Sequence, residues 1–199
     1  MADPEAAPPL VLASASPRRL ELLKQIGLEP DEIEATETDE TPRPRELPAG
    51  LARRLAREKA LAAAARHPRA FVLAADTVVA CGRRILPKPQ DEGEARACLR
   101  VLSGRRHRVF GGLAVAGPDG RVRDRLVTTV VAFKRLAPGE IDAYLASGEW
   151  RGKAGGYAIQ GRAAAFVKHL NGSYSNVVGL PLYEAVALLR GIGFPCAGP

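Results

Sequence analysis

Short apolar runs alternate with helically periodic segments along almost the whole of this 199-residue chain, and that alternation leaves few folds open. Residues 10–13 are an apolar run that reads as a buried strand. They are followed by Leu20, Leu22, Leu23 and Ile26 at helical spacing, up to Gly27. An alanine-rich helix is expected over 49–65, ending before His67-Pro68. A strongly apolar strand over 71–79 is interrupted only by Asp76-Thr77. A turn at Cys81-Gly82-Arg83-Arg84 suggests a hairpin into Ile85-Leu86, and 91–102 reads as a helix. Strands over 107–116 and 121–133 meet at Gly117-Pro118-Asp119-Gly120, a strong turn signal. A helix over 138–146, a strand over 163–170 and a helix over 182–189 complete the order. Strands and helices mixed in this way predict an α/β class with a mixed sheet.

The length suits a single domain, expected over 10–199 behind a flexible Ala- and Pro-rich leader at 1–9. No apolar run approaches the roughly 20 residues that span a bilayer. The opening Met1-Ala2-Asp3-Pro4-Glu5 lacks the basic and apolar regions of a secretory signal, so a cytoplasmic location is expected. Cys81, Cys98 and Cys196 form no CxxC pair and leave an odd one over, which argues against a disulfide framework or a structural zinc site. The net charge of +7 is almost wholly arginine, 23 Arg against 6 Lys. With few, scattered aromatics and no nucleic-acid module, that charge says only that some anion is welcome.

Chemistry-bearing residues lie where the elements meet. In Ser14-Ala15-Ser16-Pro17-Arg18-Arg19, Ser16 suits the N-cap and Pro17 the first helical position, so two arginines fall in the first turn. A bare helix N-terminus already carries partial positive charge; a phosphate there would explain the arginines better than solvation does. Asp76 would be costly to bury without a partner, and could instead face a cleft, bind a divalent cation or activate water; an ordinary turn aspartate is the competing reading. Glu40 ends an acidic stretch of eight carboxylates between 29 and 46, and carboxylates suit Mg²⁺ or Mn²⁺. Lys88 sits between Pro87 and Pro89 on a stiff loop suited to holding phosphate, while Lys59, among Arg53, Arg54 and Arg57, reads by itself as part of a solvated face. The stretch Gly152-Lys153-Ala154-Gly155-Gly156-Tyr157-Ala158-Ile159-Gln160-Gly161 fails as a P-loop because Ala, not Ser or Thr, follows Lys153. The Gln160 amide could read the donor–acceptor edge of a base.

Taken together, LASASPRRLELLKQIG (12–27), DETP (39–42), AADTVV (74–79), LPKP (86–89), GKAGGYAIQG (152–161) and NGSYSNVVGLPLYE (171–184) resemble the Maf family of nucleoside triphosphate pyrophosphatases. The resemblance covers nearly the whole chain. It implies a two-lobed α/β fold around an elongated mixed sheet, similar to the inosine-triphosphate pyrophosphatase superfamily. It also implies metal-dependent hydrolysis of a nucleoside triphosphate to the monophosphate and pyrophosphate, and a homodimer. Carried over by position, Asp76 looks like the proton acceptor. Ser14, Arg18, Arg19, Lys59 and Lys88 look like triphosphate-holding groups, and Glu40, with Asp76, like a metal-associated position.

Arg18, Thr77 and Gln160 agree with the branch of the family acting on dTTP and UTP, which shows SPRR, ADT and IQG; the 7-methyl-GTP branch shows SPWR, SDQ and a Glu in place of the Gln. A neutral amide can pair with a uracil or thymine edge as donor and acceptor together, whereas a carboxylate suits the N–H donors of guanine. Ala158, where glycine is common, and the long leader are minor departures. Two alternatives stay open at this level: a pyrophosphatase for another modified nucleotide, or a non-enzymatic septation or nucleic-acid-binding regulator using the arginines around 105–108 and 121–125.

Overall fold

The computed structural model describes residues 8–196. Residues 1–7 of the expected leader lie outside that span, but Pro9 already borders the sheet: its carbonyl accepts a hydrogen bond from the Phe71 amide at 2.8 Å.

The strands are β1 (Leu10–Ala13), β2 (Glu32–Ile33), β3 (Phe71–Cys81), β4 (Arg84–Leu86), β5 (Arg106–Ala116), β6 (Val122–Phe133) and β7 (Val167–Asn171). They form one mixed sheet in the order β2-β1-β3-β5-β6-β7, with β4 paired to β3. β1 runs parallel to β2 and β3, and the remaining pairs are antiparallel. The helices are α1 (Pro17–Gln25), α2 (Pro48–Ala64), α3 (Glu92–Leu102), α4 (Pro138–Ala146), the single-turn α5 (Tyr174–Val178) and α6 (Leu182–Ile192). The α/β class with a mixed sheet is therefore what the chain adopts.

The pleat sends Val72, Ala74, Val78 and Ala80 of β3 to one face and Phe71, Leu73, Ala75 and Val79 to the other. On the first face the helical cover comes from α2, whose Ala56, Ala60 and Ala63 pack with Ala74, Ala114 and Ala116, and whose Leu51, Ala52 and Leu55 pack with Val78, Ala80 and Phe110. Gly112 of β5 lies directly beneath this helix: a side-chain carbon there would fall on the Ala52 carbonyl oxygen. Small residues on both sides thus bring α2 down onto the sheet. The opposite face carries the bulky core, with leucines from α1, α3 and α6, Tyr144 of α4 and Trp150. His107, Phe133 and Tyr157 pack there edge to face, with ring centroids 4.9 to 5.4 Å apart. On this side α3 packs on α4 and on the 3₁₀ turn Ala154–Gly156, while α6 covers β3, β5 and β6.

Three local expectations fail. Arg162–Phe166 is a 3₁₀ helix, so the strand expected over 163–170 begins only at Val167. Ala163 and Phe166 are both buried, and a spacing of three suits the 3₁₀ turn rather than a strand. Asp76-Thr77 forms no turn but lies inside the expected strand, which runs on past Val79 to Cys81, so the turn-aspartate reading falls. Ser16 occupies the N-cap position of α1 without a side-chain cap; its own amide donates instead to Ser14 Oγ at 3.2 Å.

Much of the surplus arginine is tied up in ion pairs. Arg53 and Arg57 meet Asp124, Arg54 meets Glu46 and Glu58, Arg66 meets Glu34, and Arg96 meets Glu92 and Asp142. Arg123 and Arg125 do share an exposed face of β6. No helix among the described residues is long and apolar enough to cross a membrane. The three cysteines are free, Cys98 buried and the others half-buried.

Candidate active site

β1 stops pairing with β3 at Ala74, and β4 takes up the same edge only at Val79. Between them, 75–78 have no strand on that side, while β5 pairs continuously along the other. A cavity of about 550 Å³ opens against this bare edge, at the C-terminal end of β1. The ends of parallel strands are where α/β sheets commonly place ligands. Asp76 and Thr77 are consecutive on β3, so they point to opposite faces and meet the cavity from two sides.

On the α2 face, Asp76 is 5% exposed and its Oδ1 accepts a hydrogen bond from Lys59 Nζ at 2.7 Å. Lys59 is itself buried on the apolar stripe of α2 and donates to Glu40 Oε1 at 2.6 Å. The other oxygen of Glu40 accepts from Lys88 Nζ at 3.1 Å. Four residues from four separate segments thus form one chain of alternating charge. Burial alone would raise the Glu40 carboxyl, but the two ammonium groups prevail and hold it at about 2.

On the α1 side, Arg19 is fixed by three hydrogen bonds. Its Nη1 donates to Ser14 Oγ at 2.9 Å, its Nε to the Gly179 carbonyl at 2.9 Å and its Nη2 to Thr77 Oγ1 at 3.3 Å. None of these acceptors is charged, so the guanidinium keeps its full positive charge toward the cavity. Burial lowers its pKa, with Asp76 and Glu40 opposing from a distance and Arg18 adding to the lowering. Arg18 lines the same wall half-buried, lowered by burial and partly supported by Glu21, and its guanidinium makes no hydrogen bond or ion pair with a described residue.

Gln160 stands exposed at the rim, so every residue singled out from the sequence borders this one cavity: Ser14, Arg18, Arg19, Glu40, Lys59, Asp76, Thr77, Lys88 and Gln160. The sequence reading missed Arg151 and Lys153, which line it too. Their signal is present, two cations flanking Gly152, but the sequence weighs Lys153 only as a P-loop lysine and carries Gln160 alone forward.

No cluster of three or more His, Cys, Asp or Glu side chains able to hold a metal occurs among the described residues. Both Glu40 oxygens are taken by lysines, whereas Asp76 engages only Oδ1. The donor set fits a Mg²⁺-like ion in a limited sense: one carboxylate oxygen from the chain, with phosphate oxygens and water supplying the rest, a common arrangement for that ion.

The Maf-like protein family model matches residues 9–192. A dTTP/UTP pyrophosphatase of Paramagnetospirillum magneticum is 65% identical over 185 residues, 93% of this chain and 97% of its own length. Proteins of the same name from Rhodospirillum rubrum and Caulobacter vibrioides are 64% and 59% identical, over 94% and 95% of this chain and 89% and 98% of their own. Among solved structures, a nucleoside-triphosphatase (dITP/XTP pyrophosphatase) from Mycobacterium abscessus aligns over 64% of this chain and 73% of its own. Its identity is 16% and its TM-score 0.39, too slight a likeness to bear on function.

Proposed function

Because the chain belongs to the Maf-like protein family, we propose that it hydrolyses dTTP and UTP to the monophosphate and pyrophosphate. The observation that carries this reading is the joint one of relatives at 59–65% identity sharing that name and a cavity where cations surround a single buried, lysine-bound carboxylate.

In the proposed reaction Arg18 and Arg19 hold the phosphate tail at the start of α1. Lys59, by binding Oδ1, orients the Asp76 carboxylate and leaves Oδ2 to accept a proton from water. The water oxygen bonds to the α-phosphorus, the α–β bridging bond breaks, and pyrophosphate departs into a field of fixed cations that stabilises its charge. Lys88 joins that field from its proline-flanked loop, and Glu40 keeps both lysines in place. A Mg²⁺ or Mn²⁺ ion would be held mainly by phosphate oxygens and water, reaching Asp76 through the water that Oδ2 deprotonates, and Glu40 only if it released a lysine; bound there it would screen phosphate charge and lower the pKa of water. Arg18, Thr77 and Gln160 select the base, the Gln160 amide offering one donor and one acceptor to a pyrimidine edge. The free cysteines and the nucleotide substrate suit a cytoplasmic setting.

A panel of nucleoside triphosphates assayed for monophosphate and pyrophosphate, with Mg²⁺, with Mn²⁺ and with chelator, tests reaction, metal and base together. Release of pyrophosphate from dTTP and UTP is expected, and should fall at least 10³-fold in Asp76→Asn. Preference for 7-methyl-GTP, release of orthophosphate, or full turnover by that variant would overturn the reading.

A further inference from the structure

The charged groups lining the cavity comprise six cations and two carboxylates, a net of four positive charges. Lys59 and Lys88 are neutralised by Asp76 and Glu40. The net charge therefore resides on Arg18 and Arg19 at one wall and on Arg151 and Lys153 at the other. A triphosphate carries about four negative charges near pH 7, so the α1 wall by itself would balance only half of them.

Lys153 is held as a pointed group rather than a loose one. Its amide donates to the Trp150 carbonyl at 3.2 Å and its carbonyl accepts from Gly156 N at 2.9 Å. Trp150 is buried and anchored by its indole N–H to the Leu145 carbonyl at 3.1 Å, with the Arg151 guanidinium stacked 4.7 Å above its ring. Two residues on, Gly155 adopts φ +72° and presses on Val79 of β3, where a side-chain carbon would come within 2.9 Å. Its amide donates to the Pro87 carbonyl at 3.0 Å. Among the described residues the half-buried Lys153 ammonium donates only to the Arg151 carbonyl, at 3.2 Å, and meets no carboxylate at ion-pair distance. Burial first, and then Arg18, pull it below the ordinary lysine pKa, with Glu149 in part opposing. Arg18 and Lys153 thus line one cleft, neither with a carboxylate at ion-pair distance among the described residues, an arrangement that is unfavourable unless an anion completes it.

We infer that Lys153 is a phosphate-binding residue that grips the triphosphate from the wall opposite Arg18, with Arg151 adding charge beside it. This rests on the pyrophosphatase reading for its substrate, but its test does not. Inorganic tripolyphosphate, which has neither base nor sugar, is titrated calorimetrically into the wild type, Lys153→Met and Lys153→Arg, each first checked for an unchanged melting temperature. Steady-state kinetics on dTTP are measured in parallel. Lys153→Met should weaken tripolyphosphate about tenfold and raise KM for dTTP by a similar factor, with Lys153→Arg restoring most of both. Unchanged tripolyphosphate affinity in Lys153→Met would overturn the inference, and a raised KM alongside it would reassign the lysine to base or sugar. If the wild type binds tripolyphosphate but hydrolyses no nucleotide, the pyrophosphatase reading fails while the phosphate grip stands.

Discussion

On the α2 side of the sheet alanine predominates and Gly112 lets the helix backbone come close, although Leu51, Leu55 and Phe110 pack at one end, whereas leucine, phenylalanine, tyrosine and tryptophan fill the other side. On the small-residue side the helix backbone rests on the sheet at Gly112, and the same helix sends Lys59 to Asp76. A carboxylate buried there is paired because its partner arrives on a rigid element at hydrogen-bond distance. On the bulky side the buried polar groups are neutral: His107 Nε2 and the Tyr157 hydroxyl hydrogen-bond at 2.8 Å among packed rings. Burial lowers the His107 pKa to about 4 and raises that of Tyr157, so neither ionises near pH 7. The difference teaches that buried charge is kept where small residues let two elements meet, and is suppressed where large ones hold them apart.

Removing the charge from the close-packed side should have the largest effect. Lys59→Met leaves Asp76 and Glu40 without their shared ammonium, and kcat/KM on dTTP is expected to fall about 10³-fold, roughly 4 kcal/mol. Activity near wild type would mean that the close approach serves packing alone.

On the bulky side the expected cost appears with acid. The folded chain holds His107 neutral down to about 4, whereas the unfolded chain takes up a proton near 6.5. Its contribution is therefore present above pH 6.5 and lost progressively as the pH falls toward 4. That interval corresponds to roughly 3 kcal/mol. Urea midpoints measured from pH 7.5 to 4 should decline less steeply in His107→Asn than in the wild type.

Gly112→Ala tests the close approach itself. The added methyl meets the Ala52 carbonyl, α2 must lift, and a loss of about 2 kcal/mol in urea is expected together with lower activity. Alanine at Gly111, whose side-chain carbon would strike the Asn176 amide instead, separates helix lifting from general overpacking.

The smallest expected effect comes from Glu40→Gln. With its folded pKa at about 2 against 4.5, Glu40 contributes above pH 4.5 and is lost as the pH falls toward 2. The variant should start from a slightly lower melting temperature at pH 7, the half-exposed pair being screened by solvent, and show a shallower decline between those values.

The strands, the Gly117–Gly120 turn and the cationic start of α1 were legible because each rests on local pattern. The Lys59–Asp76–Glu40 chain was not, since its members lie 17 and 19 residues apart and only the fold brings them together. Yet Lys59 carried a readable sign. The buried positions of α2 run 51, 52, 55, 56, 59, 60 and 63, and a lysine on such a stripe points inward rather than out with Arg53 and Arg57. The one-turn α5, capped by Ser173 Oγ accepting from Asn176 N, is too short to show a period and was invisible for that reason.

The interrupted edge of β3 makes catalysis and foldedness a shared property. The cleft lies where residues 75–78 lack a neighbouring strand, so a nucleotide seated there, as proposed, would knit β1, α2 and the Gly152–Gly156 segment around them. Any ligand that binds the folded form alone stabilises it in proportion to RT ln(1 + [L]/Kd). Mild lesions in the surrounding scaffold should then be masked wherever nucleotide is plentiful and exposed wherever it is scarce. On that footing the nucleotide pool sets how much sequence change this chain can tolerate.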